Sequence, residues 1–348
     1  MLYTRSQIMY PHSSLNGRRL FTVTVFILVL GCGCGSRGEG QADRMNASHN
    51  LVVVEARPDR GFRYPYVLRI PRDHRAGERS FLLVEPNNTG TVSDDFNMHL
   101  EAAKETSSKA IGAFIACTEN LPLLVPVFPR PETQWQIYTH LLDRDAMLLT
   151  EGPMQRLDLQ LIAMVEDAKE KLADAGLMVD QRILLTGFSA SGTFVNRFTA
   201  LHPGLVQAAA SGGVNGMLML PVGTLADSLM PYPLGVADFE TFTGQPFDLA
   251  SWRKVPQFIY MGSNDENDAV CFDDGYSERE RKLIFALLGE RMQPDRWEKC
   301  QAMYRAAGAA VTFRTYEGIG HRTNSSINAE IAAFFRASME KSASRYSH

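Results

Sequence analysis

The sequence predicts an α/β protein in which a mostly parallel sheet carries helices on both faces. The run from Arg182 to Leu201 begins with strand-favouring apolar residues, breaks at Gly187, and resumes with apolar residues at helical spacing. A second run, 121–128, is strongly apolar, as expected of a strand buried on both faces. Segments typical of strands and helices then alternate to the end of the chain, which is the pattern of βαβ winding.

Local sequence signals place the elements of this domain in order. Predicted strands end at Pro, Gly, Asp or Asn, and the first two are expected to pair antiparallel. The predicted strands are 51–56, 66–70, 80–85, 121–128, 183–186, 206–210 and the first parts of 257–265 and 310–321. Helices are predicted over 99–116, from Leu161 to a cap at Gly176, after Ser189, and at the carboxyl end of the chain.

Ser189 stands at the turn between a predicted strand and helix, in Gly-Phe-Ser-Ala-Ser-Gly (187–192). A serine at the apex of such a turn is held in a strained conformation with its hydroxyl above the sheet, which requires small neighbours. The motif matches Gly-x-Ser-x-Gly except that Ser191 replaces the second glycine. The chain thereby resembles α/β-hydrolase-fold serine hydrolases over about residues 50–340. With the following Arg197-Phe-x-x-Leu-His-Pro203, it is similar to bacterial esterases of the polyhydroxybutyrate depolymerase and feruloyl esterase type.

Three candidate catalytic residues follow predicted strands in the order Ser189, Asp265, His321, which is the order that this resemblance implies. Serine is unreactive at its ordinary pKa, so His321 would take its proton as general base. Asp265 would fix the tautomer of that histidine and stabilise its charged form. Asp268, in the same loop, is the alternative acid, but Asp265 has the family's spacing from Gly262.

The resemblance also implies two backbone amides that bind the developing oxyanion. One is the amide of Ala190, directly after the nucleophile, and the other comes from the loop after the third core strand. Asn87 and Asn88 are the candidates in that loop, through a backbone N–H or a side-chain amide. An Asn-Asn-Thr-Gly turn without any function is compatible with the same residues.

Residues 214–254 mix Pro, Gly, Met, Leu and Phe without a sustained period. In the fold that the chain resembles, insertions after the sixth strand commonly form a cap or lid over the site. Long irregular stretches inside compact domains are usually functional. We therefore expect a cap at 214–254 within a catalytic domain at 50–340.

The amino terminus predicts export. Arg18 and Arg19 precede an apolar run of signal-peptide length, so residues 1–31 are expected to be a signal peptide. Val29-Leu-Gly-Cys32 resembles the lipobox of bacterial lipoproteins, which implies lipidation of Cys32 and a membrane anchor. Residues 32–49 read as a flexible tether. A plain secretory signal or a single anchor helix are the alternatives, so the protein is expected in the cell envelope or secreted.

Composition limits the other partners. The formal net charge is -4 and no basic cluster tracks phosphates, so a nucleic-acid partner is not expected. No Cys-x-x-Cys pair or His-Glu-x-x-His helix occurs, so neither a metal site nor any cofactor is implied. Among Cys117, Cys271 and Cys300, a Cys271–Cys300 disulfide is the favoured pairing, although three cysteines leave the connectivity open.

These features together predict an exported enzyme that cleaves a small-molecule or polymeric carboxylic ester through an acyl-serine intermediate. Preference for an ester rests on the resemblance, because one fold hosts many chemistries. A peptidase or other acyl hydrolase with the same three residues is the second hypothesis. A surface lipoprotein that binds its ligand without turnover is the third. The oligomeric state is not predicted.

Overall fold

The computed structural model of the 348-residue chain describes residues 47–74, 79–88, 90 and 92–343. The predicted signal peptide at 1–31, Cys32, and the tether up to residue 46 lie outside the described residues. The tether's last predicted residue, His49, already begins the first strand. Within the described ranges, no helix is both long and apolar enough to cross a membrane.

Strands and helices alternate along the described residues. The strands are β1 His49–Val54, β2 Tyr66–Pro71, β3 Arg79–Ser80, β4 Leu83–Val84, β5 Leu123–Pro126, β6 Met178–Val179, β7 Ile183–Phe188, β8 Val206–Gly212, β9 Thr224–Leu225, β10 Ser228–Leu229, β11 Gln257–Gly262 and β12 Val311–Tyr316. The α-helices are α1 Phe96–Lys109, α2 Ile111–Glu119, α3 Arg144–Leu148, α4 Leu157–Asp174, α5 Ala190–Leu201, α6 Phe239–Thr243, α7 Leu249–Trp252, α8 Glu278–Leu288, α9 Trp297–Ala306 and α10 Ser325–Ala343. Short 3-10 turns lie at Pro58–Arg60, Glu132–Gln134, Thr139–Leu141 and Ala269–Cys271, and a π-type turn lies at Met292–Arg296.

An eight-stranded sheet in the order β1-β2-β5-β4-β7-β8-β11-β12 organises the domain. The pairs β1–β2 and β2–β5 are antiparallel, whereas the remaining neighbours are parallel. The prediction of a mostly parallel sheet with an antiparallel opening is confirmed. Because β7, β8, β11 and β12 are parallel, the loops that follow their carboxyl ends leave the sheet at one edge.

Helices cover both faces of the sheet. On one face, α4, α5, α8 and α9 contribute a large buried cluster that includes Phe194, Phe198 and Trp297. On the other face, α1, α2 and α10 contribute a second cluster that includes Ile115 and Ile331. The apolar residues of each helix recur at three- and four-residue spacing, which puts them on the sheet side of the helix.

The predicted helix at 99–116 is two helices. Ala110 between them has an extended backbone, with ψ of -176°. The break frees the first N–H groups of α2, which have no partner inside a helix. The Gly112 N–H donates to the buried carboxyl of Glu85 at 2.8 Å. Burial raises the pKa of Glu85 to about 8, so this acid directly after β4 stays largely protonated at neutral pH.

The predicted Cys271–Cys300 disulfide is wrong in this structure, because both thiols are free. Cys300 lies in α9 and is buried beside Met217, Leu218 and Met261. Cys271 is exposed, and its Sγ faces Asp268 Oδ2 at 3.8 Å. The two side chains therefore lie in different surroundings, one in the core and one at the surface.

The insertion at 214–254 contains the β9–β10 hairpin and the short helices α6 and α7. Its apolar side chains are largely buried; they include Met217, Leu218, Met219, Tyr232, Phe239 and Phe242. Tyr304 Oη donates to Met219 O at 2.9 Å, and Met219 N–H donates to Asn196 Oδ1 at 3.0 Å. Arg156 Nη1 donates to Phe242 O at 2.8 Å. These contacts join the insertion to α5, to α9 and to the residue just before α4, and its role as a cap stays a prediction.

Candidate active site

Ser189 occupies the turn between β7 and α5 in a strained backbone conformation, with φ of 63° and ψ of -132°. A positive φ is uncommon for a residue with a Cβ and marks a backbone that its surroundings hold in place. The Ser189 N–H donates to Gly212 O at 2.9 Å, and its carbonyl accepts from Thr193 N–H at 3.1 Å. The strand-turn-helix that the sequence predicted is confirmed, and it presents Ser189 at the carboxyl edge of the sheet.

Two glycines allow the sharp turn. A Cβ on Gly187 would lie 2.5 Å from Ser191 O, and one on Gly192 would overlap Gly212 O in β8. Ser191, which replaces the usual glycine, turns its hydroxyl back onto the strand. Its Oγ donates to Phe188 O at 2.8 Å and accepts from Phe188 N–H at 3.0 Å. Serine at 191 therefore adds hydrogen bonds to the turn, and the close approach of helix to strand is provided by Gly192.

His321 and Asp265 lie next to each other at the same edge. His321 Nδ1 is 3.0 Å from Asp265 Oδ1 and 2.9 Å from Oδ2. Asp265 is 2% exposed, whereas the His321 side chain keeps 26% of its surface accessible. The ring of Phe188 packs on His321 with 4.8 Å between centroids. A buried carboxylate of this kind fixes Nδ1 as the protonated nitrogen and leaves Nε2 as an acceptor.

Asn267 is a residue of the site that the sequence analysis missed. Its Nδ2 lies 3.0 Å from His321 Nε2 and donates to Ser189 Oγ at 3.4 Å. Ser189 Oγ and His321 Nε2 thus contact one amide nitrogen, and no direct hydrogen bond between them occurs in the described structure. The available signal was an amide two positions after the predicted acid, in Asn-Asp-Glu-Asn-Asp (264–268).

Asp268, the alternative acid, does not contact His321 in the structure. Its Oδ2 pairs with Arg296, whose side chain is fully buried, and its Oδ1 accepts from Val270 N–H at 3.1 Å. Two further ion pairs, Asp273 with Arg281 and Asp274 with Arg130, join the same loop to α8 and to the segment after β5. Burial raises the pKa of Asp274 despite its arginine partner. Asp265 is therefore the acid placed beside the histidine.

The predicted oxyanion-binding residues have different surroundings. Ala190 is the first residue of α5, so its N–H has no partner inside the helix and lies at the positive end of the helix dipole. Asn88 Nδ2 donates to Phe188 O at 3.4 Å, which puts this side chain next to the turn that carries Ser189. Asn88 and Ala190 therefore both lie next to the turn that carries Ser189.

The side chain of Asn87 is already engaged. Its Nδ2 donates to Phe128 O at 2.8 Å, and its Oδ1 accepts from Phe128 N–H at 3.0 Å. The same Nδ2 is 3.3 Å from Nε2 of His140, and burial lowers the pKa of His140 to about 3, so that ring is uncharged at neutral pH. The side-chain amide of Asn87 joins two loops, so the prediction that it binds the oxyanion is wrong for that group.

No group of three or more His, Cys, Asp or Glu side chains that could hold a metal ion occurs in the part of the chain that the structure describes. The candidate site is built from a serine, a histidine, a carboxylate and amides. Such a set can transfer a proton and form a covalent intermediate with its own side chains.

No protein-family model matches the chain, and no curated protein matches it. Solved structures do match. A poly(aspartic acid) hydrolase-1 from Sphingomonas sp. KT-1 is 16% identical, with a TM-score of 0.53 over 82% of this chain and 97% of that one. A poly(3-hydroxybutyrate) depolymerase from Bordetella parapertussis is 17% identical, with a TM-score of 0.53 over 85% of this chain and 94% of that one. The likeness, together with the strand order, shows the α/β-hydrolase fold.

Proposed function

Because the chain has the α/β-hydrolase fold, we propose that it is a serine hydrolase which cleaves carboxylic esters through an acyl-serine intermediate. One observation carries the proposal. Ser189, at a positive-φ turn, and His321, held by both oxygens of Asp265, face one shared amide nitrogen at the carboxyl edge of the sheet. Fold alone does not determine chemistry, so the proposal rests on this arrangement.

In the first half-reaction, Ser189 Oγ attacks the ester carbonyl carbon as its proton passes to Nε2 of His321. The new Oγ–C bond converts the carbonyl oxygen into an oxyanion. The N–H of Ala190 and a donor from the Asn88 loop are the groups proposed to bind that oxyanion, and one such donor is worth about 3 kcal/mol. The carboxylate of Asp265 stabilises the imidazolium without taking its proton.

Collapse of the tetrahedral intermediate breaks the bond to the leaving-group oxygen, which takes the proton from Nε2 and departs as an alcohol. Water then attacks the acyl-serine and gives its proton to Nε2. Release of the acid returns that proton to Ser189 Oγ, so the site ends as it began. All proton transfers use Nε2, because the Asp265 contact holds the other ring proton at Nδ1.

An ester substrate is favoured by the resemblance of the Ser189 motif to bacterial esterases. The name of one structural neighbour, a poly(3-hydroxybutyrate) depolymerase, agrees with a polymeric ester. The name of the other, a poly(aspartic acid) hydrolase, keeps amide-bond cleavage as the second candidate. Both chemistries use the same nucleophile and base. A ligand-binding surface lipoprotein without turnover would gain nothing from Ser189, Asp265 and His321 in this arrangement.

We further propose that the protein is exported and anchored to a membrane by lipid on Cys32. The support is the apolar run and Val29-Leu-Gly-Cys32 in the sequence. Cells grown with radiolabelled fatty acid should incorporate label into the protein, and Cys32→Ala should lose it. Label that persists in Cys32→Ala would refute Cys32 as the site.

Hydrolysis of p-nitrophenyl acetate, butyrate and octanoate by the purified protein tests the proposed activity. The wild type should turn over at least one ester, and Ser189→Ala should lose about a thousandfold or more in kcat, as removal of a nucleophile implies. Ser108→Ala, a change on α1 at the other face of the sheet, is the control and should leave the rates unchanged. Equal rates in the wild type and Ser189→Ala would contradict the proposal.

A further inference from the structure

The backbone of Asn267 is fixed from two sides. Its N–H donates to Asp265 Oδ1 at 3.0 Å, and its carbonyl accepts from Asn215 Nδ2 at 3.3 Å. Asn215 N–H in turn donates to Thr193 Oγ1 at 3.1 Å, which ties the loop to the first turn of α5. The Asn267 side chain therefore projects from a rigid support, and only its own χ angles are left to change its position.

The side-chain amide of Asn267 lies at Nε2 of His321, the acceptor that the proposed reaction needs. Asp265 holds the proton on Nδ1 of His321, so Nε2 has one lone pair to offer. Asn267 Nδ2 lies 3.0 Å from this atom, in the position of a donor. Ser189 Oγ accepts from the same Nδ2 at 3.4 Å. While the amide stays there, Nε2 cannot accept the proton of Ser189.

The position of this amide also identifies a subsite. A leaving-group oxygen must be close to His321 Nε2, which protonates it, and close to Ser189 Oγ, which attacks the carbon that carries it. An atom that contacts both Nε2 and Oγ therefore lies on the leaving-group side of the site. Asn267 Nδ2 is such an atom, so an incoming leaving group must displace it.

We propose that Asn267 is a positioning residue that acts as an amide latch on the leaving-group side of the site, and this rests on the proposed function. In the resting protein, the amide holds Nε2 of His321 away from Ser189. Binding of the substrate moves the amide aside, and Nε2 then accepts the hydroxyl proton. Once displaced, the amide lines the leaving-group subsite with the two N–H donors of its NH2 group and its carbonyl oxygen as acceptor.

The latch predicts a gain of reactivity when it is removed. A net hydrogen bond is commonly worth about 0.5–1.5 kcal/mol, which corresponds to about a 2- to 10-fold change in rate. Asn267→Ala should therefore raise the second-order rate of Ser189 modification by a small alkyl fluorophosphonate about 2- to 10-fold. Asn267→Ser, whose hydroxyl is too short to replace the amide at Nε2, should do the same. A purely structural role for Asn267 would give slower labelling or none.

The experiment compares labelling rates of the full chain for the wild type, Asn267→Ala, Asn267→Ser and Asn264→Ala, with thermal unfolding midpoints measured in parallel. Asn264 lies in the same loop with an exposed side chain, so Asn264→Ala is the matched control and should label at the wild-type rate. Faster labelling of either Asn267 variant that folds supports the latch. Wild-type labelling with unchanged or slower rates in those variants overturns the latch and leaves the proposed function intact. No labelling of any of the proteins overturns both.

Discussion

His321 Nδ1 lies 2.9 Å from Asp265 Oδ2, although 56 positions separate the two residues in the chain. Two parallel strands bring them together, because β11 pairs with β12 along six residues and both strands end at the same edge. Asp265 follows β11 and His321 follows β12, and Ser263 N–H, just after β11, donates to the carbonyl of Tyr316 at the end of β12 at 2.9 Å. The parallel pairing of β11 and β12 therefore brings the loops that carry Asp265 and His321 to the same end of the sheet.

The two candidate acids should respond differently to removal of their charge. Asp265→Asn should lower kcat by up to about ten-thousandfold, because the amide no longer fixes the imidazole tautomer. Asp268→Asn should act mainly on stability, with a loss of about 3–5 kcal/mol in the free energy of unfolding, because it removes the carboxylate partner of buried Arg296. Ester hydrolysis and urea unfolding of both variants measure the two effects.

The reverse effects of the two substitutions would identify Asp268 as the acid. In that case Asp268→Asn would lose most of kcat, and Asp265→Asn would lose only stability. Arg296 is fixed independently by Gly216 O at 3.1 Å and Glu290 O at 3.1 Å, so Asp268→Asn is expected to leave it in place. A loss of kcat in Asp268→Asn would therefore not be due to displacement of Arg296.

Gly192 should tolerate no side chain. A Cβ at this position would overlap Gly212 O, so Gly192→Ala must push α5 away from β8. Overpacking of this kind typically costs about 1–3 kcal/mol, which should appear in the urea midpoint, and hydrolysis should fall as Ser189 moves. Gly204→Ala is the control, because no atom lies within 4 Å of a Cβ built there. Equal midpoints for both variants would contradict this account of the turn.

Much of the fold could be predicted from the sequence, because the apolar periodicity of a strand or helix involves residues only a few positions apart. The strand-turn-helix around Ser189, the antiparallel opening and the strands before Asp265 and His321 follow from apolar spacing and turn residues within a few positions. The helix break at Ala110 could not be predicted from local sequence, because the N–H of Gly112 after the break donates to Glu85, which follows β4 and lies 27 positions earlier in the chain.

In the candidate site, too, some residues could be predicted from local sequence, whereas others depend on contacts between distant parts of the chain. The motif around Ser189 and the order of the three residues along the chain predict Ser189, Asp265 and His321, and the structure brings them to one edge of the sheet. Asn267 was missed because its amide matters only where β7, β11 and β12 bring three loops together. The prediction of a Cys271–Cys300 disulfide is wrong because sequence spacing does not reveal that one cysteine lies in the core and the other at the surface.

The Asp158 carboxylate should stabilise the protein in a pH-dependent way. Burial alone would raise the pKa of Asp158, but hydrogen bonds from Arg156 and His202 outweigh burial and lower it from 3.8 to about 2. Since the folded-state pKa is depressed, the stabilisation is complete above about pH 4 and is lost as pH falls through about 2. Asp158→Asn should cost about 2 kcal/mol at pH 7.

Urea unfolding from pH 7 down to pH 3 tests this relation, because the difference in unfolding free energy between Asp158→Asn and the wild type should hold down to about pH 4 and narrow below it. Glu278→Gln is the control, since its pair with Lys282 is exposed on α8 and should contribute little at any pH. A difference that stays constant over this range would contradict the stated origin of the stability.

The described cysteines should react as separate thiols. Cys271 is exposed and should be modified by a thiol reagent in the native protein. Burial raises the pKa of Cys300 to about 11, so Cys300 should react only after unfolding. Peptide mapping of the modified protein, with Cys271→Ser as control, identifies each site. A disulfide between them would instead block both until a reductant is added.

Mapping of the fluorophosphonate adduct tests whether Ser189 is the nucleophile. The tryptic peptide spanning 183–197 contains both Ser189 and Ser191, so fragmentation of this peptide distinguishes the two serines. If Ser189 is the nucleophile, the wild type should carry a single adduct on Ser189 and Ser189→Ala should carry none. An adduct on Ser191 or elsewhere, labelling that persists in Ser189→Ala, or no labelling of the wild type would contradict Ser189 as the nucleophile.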